Sequence, residues 1–227
     1  MISIVLPVHN QGNHIRKVLQ DYQAILEQFS IEYEFVLVAN GCHDETSIIC
    51  RRLGEEDSRI QVCDLTGSGW GLAVKAGIQA AKGELVCYAN SARTTPKDLV
   101  LLLNYALVNK GAVIKANRKI RESFKRRLGS LLYNLECRSL FDLPTWDING
   151  TPKIFPRKYT PLMYLSKEDD LIDLEFNIIC RKENYPILEI PIISTRRFGG
   201  HSTTNLTSAY RMYWGAIVLW WQTRGKR

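Results

Sequence analysis

Hydrophobic positions along the chain follow two alternating spacings. Short runs rich in β-branched residues, of which residues 2–6 and 33–38 are the clearest, predict buried strands. Between such runs, apolar residues recur at the three-to-four-residue spacing of an amphipathic helix, as in residues 14–29. Because strands that alternate with helices are typical of parallel βαβ units, the pattern predicts an α/β fold with a mainly parallel central sheet flanked by helices.

The other elements follow from the same spacing and from residues that begin or end helices. The further predicted strands are 60–65, 84–89, 112–116, 153–155 and 187–194, and the further predicted helices are 46–53, 71–82, 96–110, 123–141, 171–184 and 206–224. Thr95, Pro96 and Asp98 form a capping pattern at the start of one helix, and Gly111 is expected to end it. Gly83 is expected to cap the preceding helix in a left-handed conformation.

Composition narrows the class of protein without selecting a partner. The 227 residues carry a formal net charge of +7, and 45% of them are hydrophobic, which is enough for one well-buried domain. The positive charge favours an anionic partner such as a nucleotide, a lipid phosphate, a membrane surface or a nucleic acid. The six cysteines include no C-x-x-C pair, so they predict neither a zinc site nor a disulfide framework and suit a cytoplasmic protein.

The residues that directly follow the predicted strands carry the candidate chemistry, because open α/β sheets bind ligands at the carboxyl ends of their strands. We expect a group of residues at or near these ends to bind a nucleotide-linked donor: Pro7, His9, Asn10, Gln11, Asn40, Gly41, Gly71, Lys75, Asn90 and Ser91. The asparagines suit hydrogen bonds to a base or a ribose. Their alternative role is that of turn residues, for which asparagine is favoured without any ligand.

Taken in order, these motifs resemble family 2 of the glycosyltransferases. That family has a Pro-x-Tyr-Asn-Glu motif after the first strand, an aspartate-rich loop after the second and Asp-x-Asp after the fourth, and Pro7, Asp44 and Arg118 stand where its pattern expects them. The resemblance implies the GT-A fold, a Rossmann-like α/β domain, over residues 1–205, with residues 206–227 as an appended amphipathic helix. It also implies inverting transfer of a hexose from a UDP- or GDP-sugar.

The second half of the chain is similar to the polyprenyl-phosphate mannosyl- and glucosyltransferase branch of that family. The similarity lies in the lysine before Ile-Phe, the Asp-x-Glu at a helix start, the Glu-x-Pro strand and an Arg-x-x-Gly-x-Ser-like loop. It implies a phosphorylated polyprenyl acceptor, bound by Arg118, Lys153, Arg197, His201 and Ser202. Arginine and lysine suit a phosphate, although as solvated surface charges they would need no ligand.

The family's acidic residues are largely absent from the donor side. Gln11 stands in place of glutamate, Ala39 and Asn40 in place of two aspartates, and Asn90-Ser91-Ala92 in place of Asp-x-Asp. In the family, the Asp-x-Asp carboxylates hold Mg²⁺ or Mn²⁺, which prefer oxygen ligands. Because the tripeptide has no carboxylate, we assign no cofactor and expect the metal site to be lost or altered.

The missing acids leave alternative functions open. In the first, the enzyme is active, and Arg93, Lys75 and Arg118 replace the cation that would stabilise the leaving diphosphate. Asp173, or else Asp147, is then the base or the residue that orients the acceptor. In the second, the chain is a catalytically inactive module that binds a nucleotide or a lipid. A third and weaker alternative is a nucleic-acid-binding protein.

Two segments favour contact with a membrane. Residues 115–127 contain seven basic residues and one glutamate, and such a run suits anionic lipid headgroups. In the last helix, Leu206, Tyr210, Tyr213, Ile217 and Trp220 share one face. The sequence thus predicts peripheral association with the inner face of the membrane, since no apolar run reaches the roughly 18 residues that span a bilayer. The alternative for the aromatic face is packing on the core or in a homodimer.

Overall fold

A computed structural model describes residues 1–29, 31–120, 124–193 and 206–224. Its strands are β1 (Ile2–Val8), β2 (Tyr33–Asn40), β3 (Ile60–Leu65), β4 (Leu85–Tyr88), β5 (Val113–Ile120), β6 (Lys153–Pro156) and β7 (Ile187–Ile193). Its helices are α1 (Ile15–Gln28), α2 (Thr46–Glu56), α3 (Trp70–Ala80), α4 (Pro96–Val108), α5 (Phe124–Phe141), α6 (Thr160–Met163), α7 (Ile172–Lys182) and α8 (Leu206–Arg224). The predicted alternation of strands and helices is confirmed.

The described strands form one sheet in the order β3-β2-β1-β4-β6-β5-β7. β1 is parallel to β2 and β4, β2 is parallel to β3, and β5 is parallel to β7. β6 lies between β4 and β5 and is antiparallel to both. The first residue of β6 therefore lies at the edge where β4 and β5 have their carboxyl ends. The expected mainly parallel sheet with flanking helices is confirmed.

Both faces of the central strands are covered, so β1 and β2 are buried along their whole length. One face packs with α1 and α4, and the other packs with α3 and α7. α3 comes close to the sheet at Gly77, where a Cβ atom would lie 2.2 Å from Cγ1 of Val5. The close packing of α3 positions the glycine-containing loop before it against the carboxyl edge of the sheet.

Helix starts were predicted more accurately than helix ends. Thr95 caps α4 as predicted, because its hydroxyl oxygen accepts a hydrogen bond from the backbone N–H of Asp98. The predicted cap at Gly83 is wrong, since α3 ends at Ala80 and the chain leaves through extended Ala81. Gly83 is instead required for space, as a Cβ atom there would lie 2.7 Å from the backbone nitrogen of Ser3.

The last helix packs on the rest of the protein through a third apolar cluster. Ala216 of α8 is fully buried there, together with Tyr133 of α5 and Leu174 of α7. The ring of Tyr213 lies 5.5 Å from that of Tyr133. Tyr213 therefore packs on the core, which was one of the alternatives to membrane contact for the aromatic face. The division of the chain after residue 205 stays a prediction. None of the described helices combines the length and the hydropathy needed to cross a bilayer.

Candidate active site

Three strand-end loops meet at the carboxyl edge of the sheet and bring together most of the residues predicted for the donor. His9 follows β1, and its Nδ1 lies 2.7 Å from the carbonyl oxygen of Asn40 at the end of β2. Asn10 has a left-handed backbone, with φ +50°, and its side-chain oxygen accepts a hydrogen bond from the backbone N–H of His43. The loops after β1 and β2 are therefore joined by two of the side chains that the sequence predicts to bind the donor, His9 and Asn10.

Asn40 also fixes the glycine-containing loop before α3. Its buried amide nitrogen donates to the carbonyl of Val8 at 2.9 Å, and its amide oxygen accepts from the backbone N–H of Gly69 at 3.1 Å. In the first turn of α3, a Cβ atom on Gly71 would lie 2.4 Å from the carbonyl oxygen of Asp169. Asn40 and Gly71 thus allow these backbone segments to pack closely together. Both polar atoms of the Asn40 amide are hydrogen-bonded to backbone groups of the protein.

The Asn90-Ser91-Ala92 tripeptide follows β4, and the hydroxyl of Ser91 and the side-chain oxygen of Asn90 are hydrogen-bonded within the protein. Ser91 is only 1% exposed, and its hydroxyl donates to the carbonyl of Pro7 at 2.8 Å and lies 3.0 Å from the Oε1 acceptor of Gln11. The side-chain oxygen of Asn90 accepts from the backbone N–H of Ala92. Among the described residues, no group of three or more His, Cys, Asp or Glu could hold a metal ion. This tripeptide does not fit a carboxylate-held Mg²⁺ or Mn²⁺.

Asp44 is the acid of the second loop that the chain retains, and it shapes the loop. Its carboxylate accepts hydrogen bonds from the backbone N–H of Thr46 and Gly12 and from the hydroxyl of Thr46. Burial works to raise the pKa of Asp44, but these hydrogen bonds outweigh it and lower the pKa. Asp44 is thereby kept ionised as the anchor of the start of α2.

A second group of polar residues forms a row across the sheet beside these loops. In register, Tyr88 pairs with Lys153, Lys153 pairs with Lys115, and Lys115 pairs with Glu189. Residues paired across adjacent strands lie on the same face of a sheet, so the four side chains face α7 together. Lys115 and Lys153 have no exposed surface. We call these four residues the polar row.

Asp173 of α7 lies over the polar row and accepts hydrogen bonds on both carboxylate oxygens. One oxygen accepts from the hydroxyl of Tyr88 at 2.8 Å and from the ammonium of Lys153. The other accepts from the indole N–H of Trp70 at 3.0 Å. Trp70 begins α3, so Asp173 joins the glycine-containing loop of the donor side to the polar row.

Asp147 and Arg118 form the other buried ion pair of the site. Arg118 donates to the two carboxylate oxygens of Asp147 through Nε at 2.7 Å and a terminal nitrogen at 2.8 Å. The ammonium of Lys115 donates to the backbone carbonyl of Asp147 at 2.7 Å and lies 3.4 Å from Glu189. Glu189 in turn accepts from the backbone N–H groups of Trp146 and Asp147. Two cations and two carboxylates are therefore interlocked.

Burial sets the protonation behaviour of the basic groups. Burial, and then the positive charge of Lys153, lower the pKa of Lys115 to about 8, against the attraction of Glu189 and Asp147. Burial likewise lowers the pKa of Lys153, although Asp173 attracts its charge. Burial opposes the charge of Arg118 too, but the Asp147 carboxylate outweighs it and raises the pKa. Arg118 thus stays charged, whereas the pKa values of both lysines are shifted toward neutral pH.

The predicted basic residues differ in where they lie. Lys75 pairs with the exposed Glu168 at 2.7 Å, and the backbone N–H of Arg93 donates to the carbonyl of Asn90 at 3.0 Å. Lys153 was predicted to bind the acceptor, and its ammonium is enclosed beside Asp173. Of these three basic residues, only Lys75 and Arg93 lie next to the donor-side loops. Of the other predicted acceptor residues, Arg118 pairs with Asp147, and Arg197, His201 and Ser202 lie outside the described residues.

The sequence did not single out several residues of the site. Lys115 was grouped with a basic surface run, and the structure corrects this, because the alternation of β5 turns its side chain into the protein. Asn177 lies one turn after Asp173 on α7 and accepts from Lys115 at 3.0 Å. Asp170, just before α7, has a pKa raised by burial and by Asp173 and Asp169. The two-residue period of a strand could have indicated that Lys115 points inward, and the four-residue spacing of a helix could have placed Asn177 beside Asp173.

Comparison with protein families finds a match over most of the chain. The family model described as "Glycosyl transferase family 2" matches residues 3–161. The undecaprenyl-phosphate 4-deoxy-4-formamido-L-arabinose transferase of Pseudomonas fluorescens (strain SBW25) is 26% identical over 170 residues, which cover 74% of this chain and 50% of that protein. The enzyme of the same name from Sodalis glossinidius is 22% identical over 221 residues, 96% of this chain and 67% of that protein.

The chain spans about half the length of the first of these relatives. Among solved structures, glucosyl-3-phosphoglycerate synthase from Mycobacterium tuberculosis in complex with Mn²⁺, UDP-glucose and phosphoglyceric acid has a similar fold, with a TM-score of 0.70. The sequence identity is 17%, and the match covers 96% of this chain and 77% of that one. This likeness confirms the predicted GT-A architecture.

Proposed function

The chain belongs to glycosyl transferase family 2, and from that premise we propose that it transfers a sugar from a nucleotide-diphosphate sugar, with inversion, to a polyprenyl phosphate or a related lipid phosphate. The acceptor class is supported by the relatives, whose names specify undecaprenyl phosphate. Those names specify an arabinose derivative, whereas the motifs favour a hexose, so donors of both kinds belong in the assay. A lipid acceptor also supports peripheral contact with a membrane.

The observation that carries the proposal is the meeting of two groups of residues at one sheet edge. The donor-side loops after β1, β2 and β4 are tied together by Asn40 and Ser91. The polar row lies beside them and is joined to the donor side through Trp70 and Asp173. A transferase needs its donor and its acceptor in adjacent positions, and the junction of these two groups of residues supports such an arrangement.

The reaction requires positive charge near the leaving diphosphate more than it requires a base to deprotonate the acceptor. The bond between the anomeric carbon and the diphosphate breaks, the diphosphate leaves with the electron pair, and an oxygen of the acceptor phosphate forms the new bond. A phosphate ester with a second pKa near ~6 is already ionised at neutral pH, so it needs no proton removed. Asp173, whose oxygens are occupied by Tyr88, Lys153 and Trp70, then serves to orient the site.

The leaving diphosphate is the group that needs stabilisation by the protein. Because the tripeptide after β4 fits no carboxylate-held metal, we propose that Arg93 and Lys75 supply the positive charge. Arg93 follows the tripeptide directly, and Lys75 lies one turn into α3 behind the glycine-containing loop. Arg118 is less suited, because its ion pair with Asp147 is buried, whereas the ion pair of Lys75 with Glu168 is open to solvent.

The test is transfer from radiolabelled UDP- and GDP-sugars, with glucose, mannose and arabinose-derived groups, to undecaprenyl phosphate in detergent. We expect transfer that resists EDTA and that falls about 100-fold or more in Arg93→Ala, as for the loss of one electrostatic contact to a leaving group. Arg52→Ala, on the exposed side of α2, is the matched control and should keep full activity.

Two results would contradict parts of the proposal. Transfer that is abolished by EDTA and restored by Mn²⁺ would contradict the replacement of the metal by Arg93. A nucleotide that raises the melting temperature while no donor is turned over would contradict transfer and favour the inactive binding module.

A further inference from the structure

The last helix carries large apolar side chains on the face turned away from the core as well as on the face packed against it. On the packed side, Ala216 is fully buried and Tyr213 donates its hydroxyl to the carbonyl of Gly129 at 2.6 Å. On the opposite side, an aromatic row recurs at helical spacing: Tyr210, Trp214, Val218 and Trp221, exposed by 68%, 56%, 36% and 68%. A helix that is apolar on both sides has a second surface to cover.

α5 has the same property. Its buried side contributes Tyr133 and Cys137 to the cluster shared with α7 and α8. Its outer side carries a leucine row at positions i, i+3, i+4 and i+7: Leu128, Leu131, Leu132 and Leu135, exposed by 46%, 55%, 51% and 57%. Because α5 and α8 adjoin through Tyr133 and Tyr213, the leucine row and the aromatic row belong to neighbouring outer faces. None of the described residues covers them.

The charges that α5 and α8 themselves carry are almost all positive. α8 contains no acidic residue, and its Arg211 and Arg224 are exposed. Arg127 is exposed at the start of the leucine row, and α5 contains Glu136 as its one acid. Tryptophan and tyrosine with flanking arginine are typical of the interface between lipid headgroups and acyl chains. A second copy of the chain would bring like charges together, which disfavours a dimer through this face.

We propose that the outer faces of α5 and α8 form one docking surface for an anionic lipid bilayer. The leucine row and the aromatic row enter the headgroup region, and the arginines contact the lipid phosphates. The surface lies outside the donor-side loops and the polar row, so it assigns membrane contact to residues that the site does not include.

The docking surface is also joined to the candidate active site. Gly215 of α8 packs so closely on Leu171 that a Cβ atom would lie 2.6 Å from its side chain. Leu171 directly precedes α7, which carries Asp173. Burial raises the pKa of the neighbouring Asp170, and the positive charge of Arg211 on α8 opposes that rise. Bilayer contact by α8 therefore holds the start of α7 at the membrane. This last step rests on the proposed function, because only a lipid acceptor makes that placement useful.

The binding test uses vesicles and the 227-residue chain. We expect it to sediment with vesicles of phosphatidylglycerol and phosphatidylcholine, to bind pure phosphatidylcholine more weakly, and to be released by added salt. Trp214→Glu combined with Trp221→Glu, and separately Leu131→Glu combined with Leu135→Glu, should each weaken binding about tenfold or more, since charges are costly at the lipid boundary. Val108→Glu, at an 82% exposed apolar position on α4, should leave binding unchanged.

A second measurement needs no substitution and guards against variants that fail to fold. Brominated lipids in the anionic vesicles should quench the tryptophan fluorescence of the unaltered chain, because Trp214 and Trp221 enter the bilayer. Absence of both sedimentation and quenching would overturn the proposal. So would a dimer, seen by analytical ultracentrifugation, that binds no vesicles and dissociates on the leucine substitutions.

A transfer assay separates this inference from the proposed function. With a short, water-soluble polyprenyl phosphate, both double variants should keep their activity, whereas with undecaprenyl phosphate in anionic vesicles they should lose it. If the chain binds vesicles but transfers sugar to neither acceptor, the docking surface stands and the proposed function fails. Loss of activity with the soluble acceptor as well would contradict a role confined to membrane docking.

Discussion

At the scale of single residues, the buried lysine of β5 sets much of the site's electrostatics. Lys115 has no exposed surface, and its ammonium contacts the carboxylate of Glu189, the amide oxygen of Asn177 and the carbonyl of Asp147. An ion removed from water needs such partners, because its lost hydration costs several kcal/mol. The arrangement is stable only as a set, so removal of one member leaves the others uncompensated.

We predict that Lys115→Met lowers the free energy of unfolding at pH 7 by about 3 kcal/mol, the lower end of the range for breaking a buried ion pair. Methionine fills a similar volume but leaves Glu189 without its cation. Lys119→Met, at an exposed position of the same strand, should change stability by less than about 0.5 kcal/mol. Urea unfolding followed by circular dichroism measures both. An equally small effect of the two substitutions would contradict the buried network.

The pKa of Lys115 gives this prediction a pH dependence. Between about pH 8 and the ordinary value of 10.5, the folded protein has released this proton while the unfolded chain still binds it. Stability of the natural chain therefore rises with pH in that window and is independent of this group below it. Relative to Lys115→Met, we expect a gain of about 2 kcal/mol from pH 7.5 to pH 9.5. A flat difference would show that the lysine titrates normally.

The positions of the site residues could be predicted from the sequence more readily than their contacts. Residues after the strands could be located from periodicity, and Asp147 and Asp173 were recognised as important. Their partners could not be, because Asp173 and Tyr88 are 85 residues apart in sequence and meet only in the folded chain. The polar row also depends on β6 entering the sheet antiparallel between β4 and β5, and no local pattern specifies that insertion.

At the scale of elements, the start of α4 is the clearest case of local chemistry that determines structure. The hydroxyl of Thr95 accepts from the backbone N–H of Asp98 at 3.0 Å and donates to its carboxylate at 2.7 Å. Pro96 occupies the first turn, where no backbone N–H is needed. These contacts lie within four residues, so the sequence alone could predict them.

We predict that Thr95→Ala destabilises the protein by about 1 kcal/mol through loss of this cap. For a chain of this size, the melting temperature should fall by about 2 to 4 °C. Thr95→Ser keeps the hydroxyl and is the matched control, with an expected change well below that of alanine. Differential scanning calorimetry compares the three proteins. A serine variant as unstable as the alanine variant would attribute the effect to the methyl group instead of the cap.

Other elements depended on contacts that the sequence does not display. Gly83 was interpreted as a helix cap because glycine is frequent there, but its role is to let the chain pass 2.7 Å from the backbone of Ser3. The four residues of α6 (Thr160–Met163) were not predicted, since one turn has no periodicity to detect. Strand and helix cores were predicted well, because burial on one or both faces imposes a repeating pattern.

At the scale of the whole molecule, the question is whether α8 is an appendage or part of the core. Ala216, Tyr133 and Leu174 come from α8, α5 and α7 and lie in one apolar cluster. Two helices that present apolar outer faces are thus fixed to the element that carries Asp173. If α5, α7 and α8 unfold as one unit, bilayer contact at the outer faces stabilises the active site through that unit.

We predict that Ala216→Gln, which forces a long polar side chain into this cluster, raises hydrogen exchange in α5 and α7 as well as in α8. Overpacking of a buried position typically costs 1 to 3 kcal/mol, so exchange in all three helices should rise about tenfold or more. Gln222→Ala, on the exposed side of α8, should leave exchange unchanged. If faster exchange were confined to α8, the helix would unfold independently, and contact with a membrane could hold the chain at the bilayer without ordering the site.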